Sequence, residues 1–178
     1  MKYWKRIQLE HVEIIQKKTL ALMAKHSDIM DRTKFKGSFI PFPDQYLDHV
    51  PEVNQAFAPY GRVCVKAAVY LMWNNRDAMP HVDGEDSIAR VNIPLLNCEG
   101  TSTVFYENIK TMALKLPTGV VYHPVVNTDY YEVDRVEINS PTILRVTSGH
   151  SIIMDEARAP RITLTLMLDP DIHTLLDD

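Results

Sequence analysis

Cysteine is nearly absent from this chain: Cys64 and Cys98 are the only two in 178 residues. That excludes the disulfide framework that staples small secreted domains and leads us to expect two reduced thiols in a cytoplasmic protein. Long apolar runs are missing too. No stretch approaches the roughly 20 residues of a membrane-crossing helix, and the mixed, charged segment Met1 to Glu10 lacks the unbroken apolar stretch of a signal peptide. An excess of one charge sign is also lacking. A formal net charge of −4 offers no electrostatic footprint for nucleic acid or an anionic membrane, so neither is an expected partner. There are no repeats, low-complexity tracts or Gly/Ser linkers. The length suits one domain over 1–178, with room for a real core and little room for a second.

What is present divides into two regions. Over 1–60 the chain reads as a helical scaffold. Trp4 to about His26 carries Ile7, Ile14, Ile15, Leu22 and Met23 at near-helical spacing. Short helical turns are expected over Asp44–His49 and Glu52–Phe57, each just after a proline. From Val63 the period changes to two. Val63, Val65, Ala67, Val69, Leu71 and Trp73 alternate with Cys64, Lys66, Ala68, Tyr70 and Met72, as in a strand apolar on one face. Strand-like runs follow at Ala89–Leu95, Thr103–Tyr106, Val120–Tyr122, Glu132–Ile138, Thr142–Val146, Ser151–Met154 and Ile162–Leu168. They are separated by turn compositions at 74–77, 97–100, 117–119, 127–129, 139–141 and 157–160. About eight short strands predict a mainly β, jelly-roll type double sheet over 63–168, with the leading helix on one outer face.

The sharpest chemical feature is His81-Val82-Asp83. On a strand, residues two apart point the same way, so both side chains can meet one ion. Chance supplies roughly half of one such pair in a chain of this composition, so the pair needs support from elsewhere. Support comes from His150, which follows a strand and a Ser148-Gly149 turn, and from Arg161, eleven positions later. Alternation puts Arg161, Thr163 and Thr165 on one face of the closing strand and Ile162, Leu164 and Leu166 on the other. Two histidines and one carboxylate on one side of an ion leave three adjacent positions open, the arrangement of iron(II) centres that activate O2. An arginine fork suits the remote carboxylate of a dicarboxylic oxo acid, and Thr163 can add a hydroxyl donor.

His81-x-Asp83, then His150, then Arg161-x-Thr163 resembles the metal and cosubstrate signature of the Fe(II)/2-oxoglutarate-dependent oxygenase superfamily. The stretches Arg90–Cys98 and Thr103–Tyr106 are similar to small members of it, some encoded by phages. The resemblance covers Val63 to Leu168. It implies a cupin-like double-stranded β-helix, with His81, Asp83 and His150 as catalytic iron(II) ligands. It also implies Arg161, assisted by Thr163, as anchor for the 5-carboxylate of 2-oxoglutarate. The implied reaction consumes O2 and 2-oxoglutarate, releases succinate and CO2, and usually hydroxylates a C–H bond. The family's distal histidine lies inside a clean strand, whereas here a Ser-Gly pair directly precedes His150.

Each residue also has a plainer reading. His81 and Asp83 fit a hydrogen-bonded pair at a sheet rim, and His150 fits a loop histidine with His123 as its rival for third ligand. Arg161 fits a surface salt bridge. Arg90 and Asn92 share a strand face, by default the wet side of an antiparallel sheet, while Asn92 on the inner side would meet the cosubstrate. Tyr70, Trp73 and Tyr106 are candidates to line the pocket, Tyr70 among the cosubstrate contacts. Tyr122–Tyr131 reads as a loop suited to substrate contacts. His11, His26, His49 and His173 read as surface residues. The rival functions are a cupin using another metal, disfavoured because no His-x-His occurs, and a non-catalytic jelly-roll binding or structural module. The substrate, a small molecule or a side chain, is not specified by any motif.

Overall fold

A computed structural model of the chain describes residues 1–25, 38–43, 45–73, 79–83, 87–115, 121–154 and 159–177. The described chain is mostly antiparallel β-structure with few helices. Its strands are β1 (Trp4–Arg6), β2 (Ser38–Pro41), β3 (Val63–Met72), β4 (His81–Val82), β5 (Ala89–Leu96), β6 (Thr101–Glu107), β7 (Leu114–Lys115), β8 (Val121–Pro124), β9 (Tyr131–Glu137), β10 (Thr142–Arg145), β11 (Gly149–Met154) and β12 (Arg161–Asp169). Helices α1 (Val12–Lys25), α2 (Tyr46–His49) and α3 (Glu52–Phe57) precede the long strands, and a 3-10 turn over Ile172–Leu176 follows them. The strands form two six-stranded sheets, ordered β1-β10-β5-β12-β3-β2 and β7-β8-β4-β11-β6-β9. Of these strands, β1, β2, β4 and β7 escape a periodicity reading because two to four residues are too few to show a period.

The first sheet buries both faces differently. Ile162, Leu164 and Leu166 of β12, with Val69, Leu71, Val91, Ile93 and Ile143, pack against Ile15 and Met23 of α1 and Val53 and Phe57 of α3. Helix α1 presents Ile15, Thr19 and Met23 at intervals of four, a single buried stripe. Thr19 is tolerated there because its hydroxyl donates to the Ile15 carbonyl and meets the Tyr46 hydroxyl. The opposite face carries Arg161, Thr163 and Thr165, paired with Met72, Tyr70 and Ala68 of β3. This face looks toward the second sheet: Arg161 reaches Thr101 on β6, and Leu144 of β10 packs with Phe105 of β6, Val136 and Val146.

Several expectations change. Trp4–Arg6 is not helical; it pairs with β10 at the edge of the first sheet, and helix begins only at Val12. Tyr3 and Trp4 pack on the Phe105 cluster, so tertiary pairing overrides the helical spacing of Ile7. On β3 the alternation breaks. The register against β12 shifts between Met167 and Leu168, so that Cys64 turns into the core while Val63 and Val65 face outward. Part of the expected 122–131 loop is strand β8. The remainder is pinned by Asn127, whose side chain accepts from the Lys110 amide and donates to the Asn108 carbonyl. Cys64 and Cys98 are free and buried. His11 and His49 are exposed, while His173 is half-buried against Asp171. His26, Asp44, Gly84, the turn residues Asn74, Asn75 and Asp77, the Pro117–Gly119 turn and part of the 157–160 turn lie outside the described residues. Among the described residues no helix is long and apolar enough to cross a membrane.

Candidate metal centre

The short strand β4 lies between β8 and β11, and its first residue, His81, is directly opposite His150. Directly paired residues project to the same face, so the pairing alone brings two imidazoles together from positions 69 apart in sequence. Their ring centroids are 4.5 Å apart. Asp83 leaves the end of β4 with its amide donating to the Val146 carbonyl at 3.0 Å, which ties it to the end of β10 in the other sheet. Its Oδ1 stands 3.4 Å from His81 Nε2 and 3.9 Å from His150 Nε2. One ligand atom from each of the three residues lies within 4.8 Å of the others, a cluster that can hold a metal ion.

The ring orientations suit that use. Nδ1 of His81 lies 2.9 Å from the Met79 carbonyl, and Nδ1 of His150 lies 2.9 Å from the Ser148 carbonyl. A carbonyl only accepts, so each Nδ1 carries the proton donated there, and Nε2 is the nitrogen that each ring turns toward Asp83. Both rings are thus locked by the backbone two residues upstream, the outer hydrogen bond that fixes a ligating tautomer. Gly149 begins β11, so His150 lies within the strand. A Cβ at Gly149 would come 2.8 Å from Ile109 Cδ1 and 2.9 Å from its Cγ2, so glycine allows the close approach there.

Burial pushes the His150 imidazole down to about 4, helped by the His81 ring and opposed by Asp83. Burial works to raise the Asp83 carboxyl. The hydrogen bond from His81, with the His150 and Arg90 charges, outweighs it and holds Asp83 well below the usual carboxylate range. At neutral pH the site therefore offers a carboxylate and a neutral buried imidazole, the protonation states that metal ligation requires.

Arg90 does not lie on a wet face of β5, the default expectation from alternation. Its Nη1 lies 2.8 Å from Asp83 Oδ2, on the side of the carboxylate facing away from the imidazoles, and both side chains are largely buried. Asn92, on the same face, accepts from the Thr165 hydroxyl at 2.7 Å. The wet-side pattern fails because this face is covered by a second sheet. His123 is opposite Val82, hence on the face away from His81, and does not join the cluster. Trp73 packs with the helix-side core, and Tyr106 bonds Ser151 on the outer face of the second sheet, so neither lines the space between the sheets.

No protein-family model matches the chain, and no curated protein matches its sequence. Solved structures do match. A Pseudomonas putida prolyl-4-hydroxylase aligns at 15% identity and TM-score 0.45, over 93% of this chain and 91% of that one. A viral collagen prolyl hydroxylase from Paramecium bursaria Chlorella virus-1, in a 2-oxoglutarate complex, aligns at 11% and 0.39, over 93% and 95%. The Escherichia coli protein ycfD aligns at 10% and 0.42, over 72% of this chain, which spans only 32% of that protein.

Beyond the cluster, Arg161 is 2% exposed, and among the described residues no carboxylate pairs with it. Its Nε donates to Thr101 Oγ1 at 3.1 Å, while Nη1 is buried without a hydrogen-bond partner. The Thr163 hydroxyl, two residues on and on the same face, is buried and equally unpartnered. Burial pushes the Arg161 guanidinium below its ordinary value, opposed by Cys98 and Tyr70. Guanidinium stays protonated in proteins, so this is a buried cation. A charge and a hydroxyl left orphaned together are costly unless a ligand satisfies both.

Proposed function

We propose that the protein is an iron(II)- and 2-oxoglutarate-dependent oxygenase built on a double-stranded β-helix, hydroxylating a C–H bond of its substrate. The observation that carries this is the pairing of a His-Asp-His cluster with an orphaned buried cation and hydroxyl on the same interior. His81 Nε2, His150 Nε2 and an Asp83 oxygen would hold the iron. Arg161 Nη1 and Thr163 Oγ1 would take the 5-carboxylate of the oxo acid, with Tyr70, opposite Thr163, and Asn92 walling the space between. Thr101, which steadies Arg161, is paired with Met154. Met154 lies four residue steps along β11 from His150, about 13 Å of strand. A short dicarboxylate held at Arg161 would reach toward the cluster along that line.

With both groups bound, O2, 2-oxoglutarate and a substrate C–H become succinate, CO2 and a C–OH. The chain supplies positioning and a dry interior. Arg90 and the two backbone carbonyls hold the acid and the imidazoles in place, and Asp83 and His150 need shed no proton before ligation. Arg161 compensates the remote carboxylate, so the oxo acid is oriented by its far end.

Purified protein given Fe(II), ascorbate, O2 and 2-oxoglutarate should form succinate slowly even without its true substrate. Asp83→Ala should abolish this, and Arg161→Ala should raise the 2-oxoglutarate concentration required while leaving metal affinity intact. Wild-type turnover by Asp83→Ala, or unchanged 2-oxoglutarate dependence in Arg161→Ala, overturns the assignment.

A further inference from the structure

The sheet that carries the two histidines continues beyond them. His81 is opposite His150 on one side and Pro124 of β8 on the other. The Met112 amide donates to the Pro124 carbonyl and the Val126 amide to the Lys110 carbonyl. Together with Leu114 opposite Tyr122, these bonds form one antiparallel register running out through β7. The Val125 amide donates to the Pro80 carbonyl, which continues the β4 ladder and sets Met79 opposite Val126. Directly paired residues and residues two apart share a face. His150, His81, Pro124 and Met112 therefore form one transverse row, with Leu114, Val126 and Met79 beside it on the same face.

The two ends of that row differ. Past His150 it runs into Phe105, which is fully buried and stacked under Tyr3 at 5.2 Å. Past His81 it opens: Met79 is 65% exposed, Met112 56%, Val126 55% and Leu114 45%. Single exposed apolar residues need no explanation, but four on one face do. Lys110, opposite Val126, is the charged side chain at the rim of this patch. At about 4.8 Å between strands, Met112 lies two strands and roughly 10 Å from His81.

Resting on the oxygenase function above, we propose that this face of the β7–β8 arm seats an apolar segment of the substrate, so that the oxidised molecule carries an aliphatic or aromatic portion within roughly 10 Å of the reacting carbon. The occupant is substrate rather than a second copy of the chain because the patch is continuous with the ligand row. It lies on the metal side of the sheet, at the one end of that row which the fold leaves open.

The test uses straight-chain primary amides, from butanamide to decanamide, as probes against wild-type protein holding Mn(II) and 2-oxoglutarate without O2. Each added methylene seated on the patch should tighten binding about fourfold until the patch is spanned. Mn(II) should broaden the amide's alkyl proton signals. Met112→Ser and Leu114→Ser, both at exposed positions, should each flatten the chain-length dependence, and Met79→Ser provides an independent variant from the other strand. A flat series, or length-dependent binding without broadening, overturns the proposal. So does a wild-type dimer that Met112→Ser converts to monomer in sedimentation equilibrium, since that assigns the patch to a second copy. Succinate formation by the wild-type chain separates the two levels. If succinate forms while the series is flat, this inference fails and the oxygenase survives; if amides bind beside Mn(II) with no succinate formed, the oxygenase fails and the apolar seat survives.

Discussion

Asp83 shows how much a single side chain depends on its surroundings. Its Oδ1 faces two imidazoles and its Oδ2 meets the Arg90 guanidinium, so the carboxylate is held at both ends. Partners of this kind usually govern metal affinity by 10–100-fold. Arg90→Ala should therefore weaken Mn(II) binding by about that factor with little change in the fold, as read by titration and circular dichroism; unchanged affinity would reduce Arg90 to a spectator. A second test concerns Cys64, whose thiol burial pushes up to about 12 from an ordinary 9.0, with a weaker lowering effect from a hydrogen bond of the Lys66 backbone. Between those values the unfolded chain loses the proton and the folded chain keeps it. Stability is thus fully present below pH 9 and falls as pH rises toward 12, by up to about 1.4 kcal/mol per pH unit from this group. Cys64→Ala should flatten that loss in urea melts. The three clustered residues, His81, Asp83 and His150, were legible from spacing and resemblance because their types are rare and their chemistry narrow. Arg90 was not legible, since an arginine alternating with asparagine looks the same on a wet face as on an inner one.

The strands show where period-two reading holds and where it stops. On β12 it holds throughout: Ile162, Leu164 and Leu166 face the helices while Arg161, Thr163 and Thr165 face inward. On β3 it holds from Ala67 onward and inverts before that, because the partner strand shifts by one residue. By sequence, Val65 and Val69 are equivalent. In the fold Val65 is exposed and Val69 is buried against α1's side of the sheet. Val65→Thr should change stability by less than about 0.5 kcal/mol, whereas Val69→Thr should cost about 1–3 kcal/mol by burying an unsatisfied hydroxyl. Equal effects in chemical denaturation would place the irregularity elsewhere. A bulge leaves no mark in one strand's composition, because it is a property of two strands paired. For the same reason Trp4–Arg6 looked helical until β10 was available to pair with it.

Across the molecule, the helical cover and the apolar sandwich were legible, since hydrophobic period and turn composition report burial directly. The pairing order of the twelve described strands was not, because it is decided by contacts between distant segments. Those contacts build the site: β4 is only two residues long, and its place between β8 and β11 is what sets His81 opposite His150. The interior polarity has the same origin. Arg161, Thr163, Arg90 and Asp83 come from both sheets and form a buried polar face that no single strand reveals. If that face exists to hold one ion and one dicarboxylate, the metal must come first. Anaerobic titration of Mn(II), with free ion counted by its paramagnetic signal, should find one ion bound per chain and at least hundredfold weaker binding in Asp83→Ala. A wild-type chain that takes up no stoichiometric ion, or a variant that titrates like it, would mean that His81, Asp83 and His150 are not a metal centre.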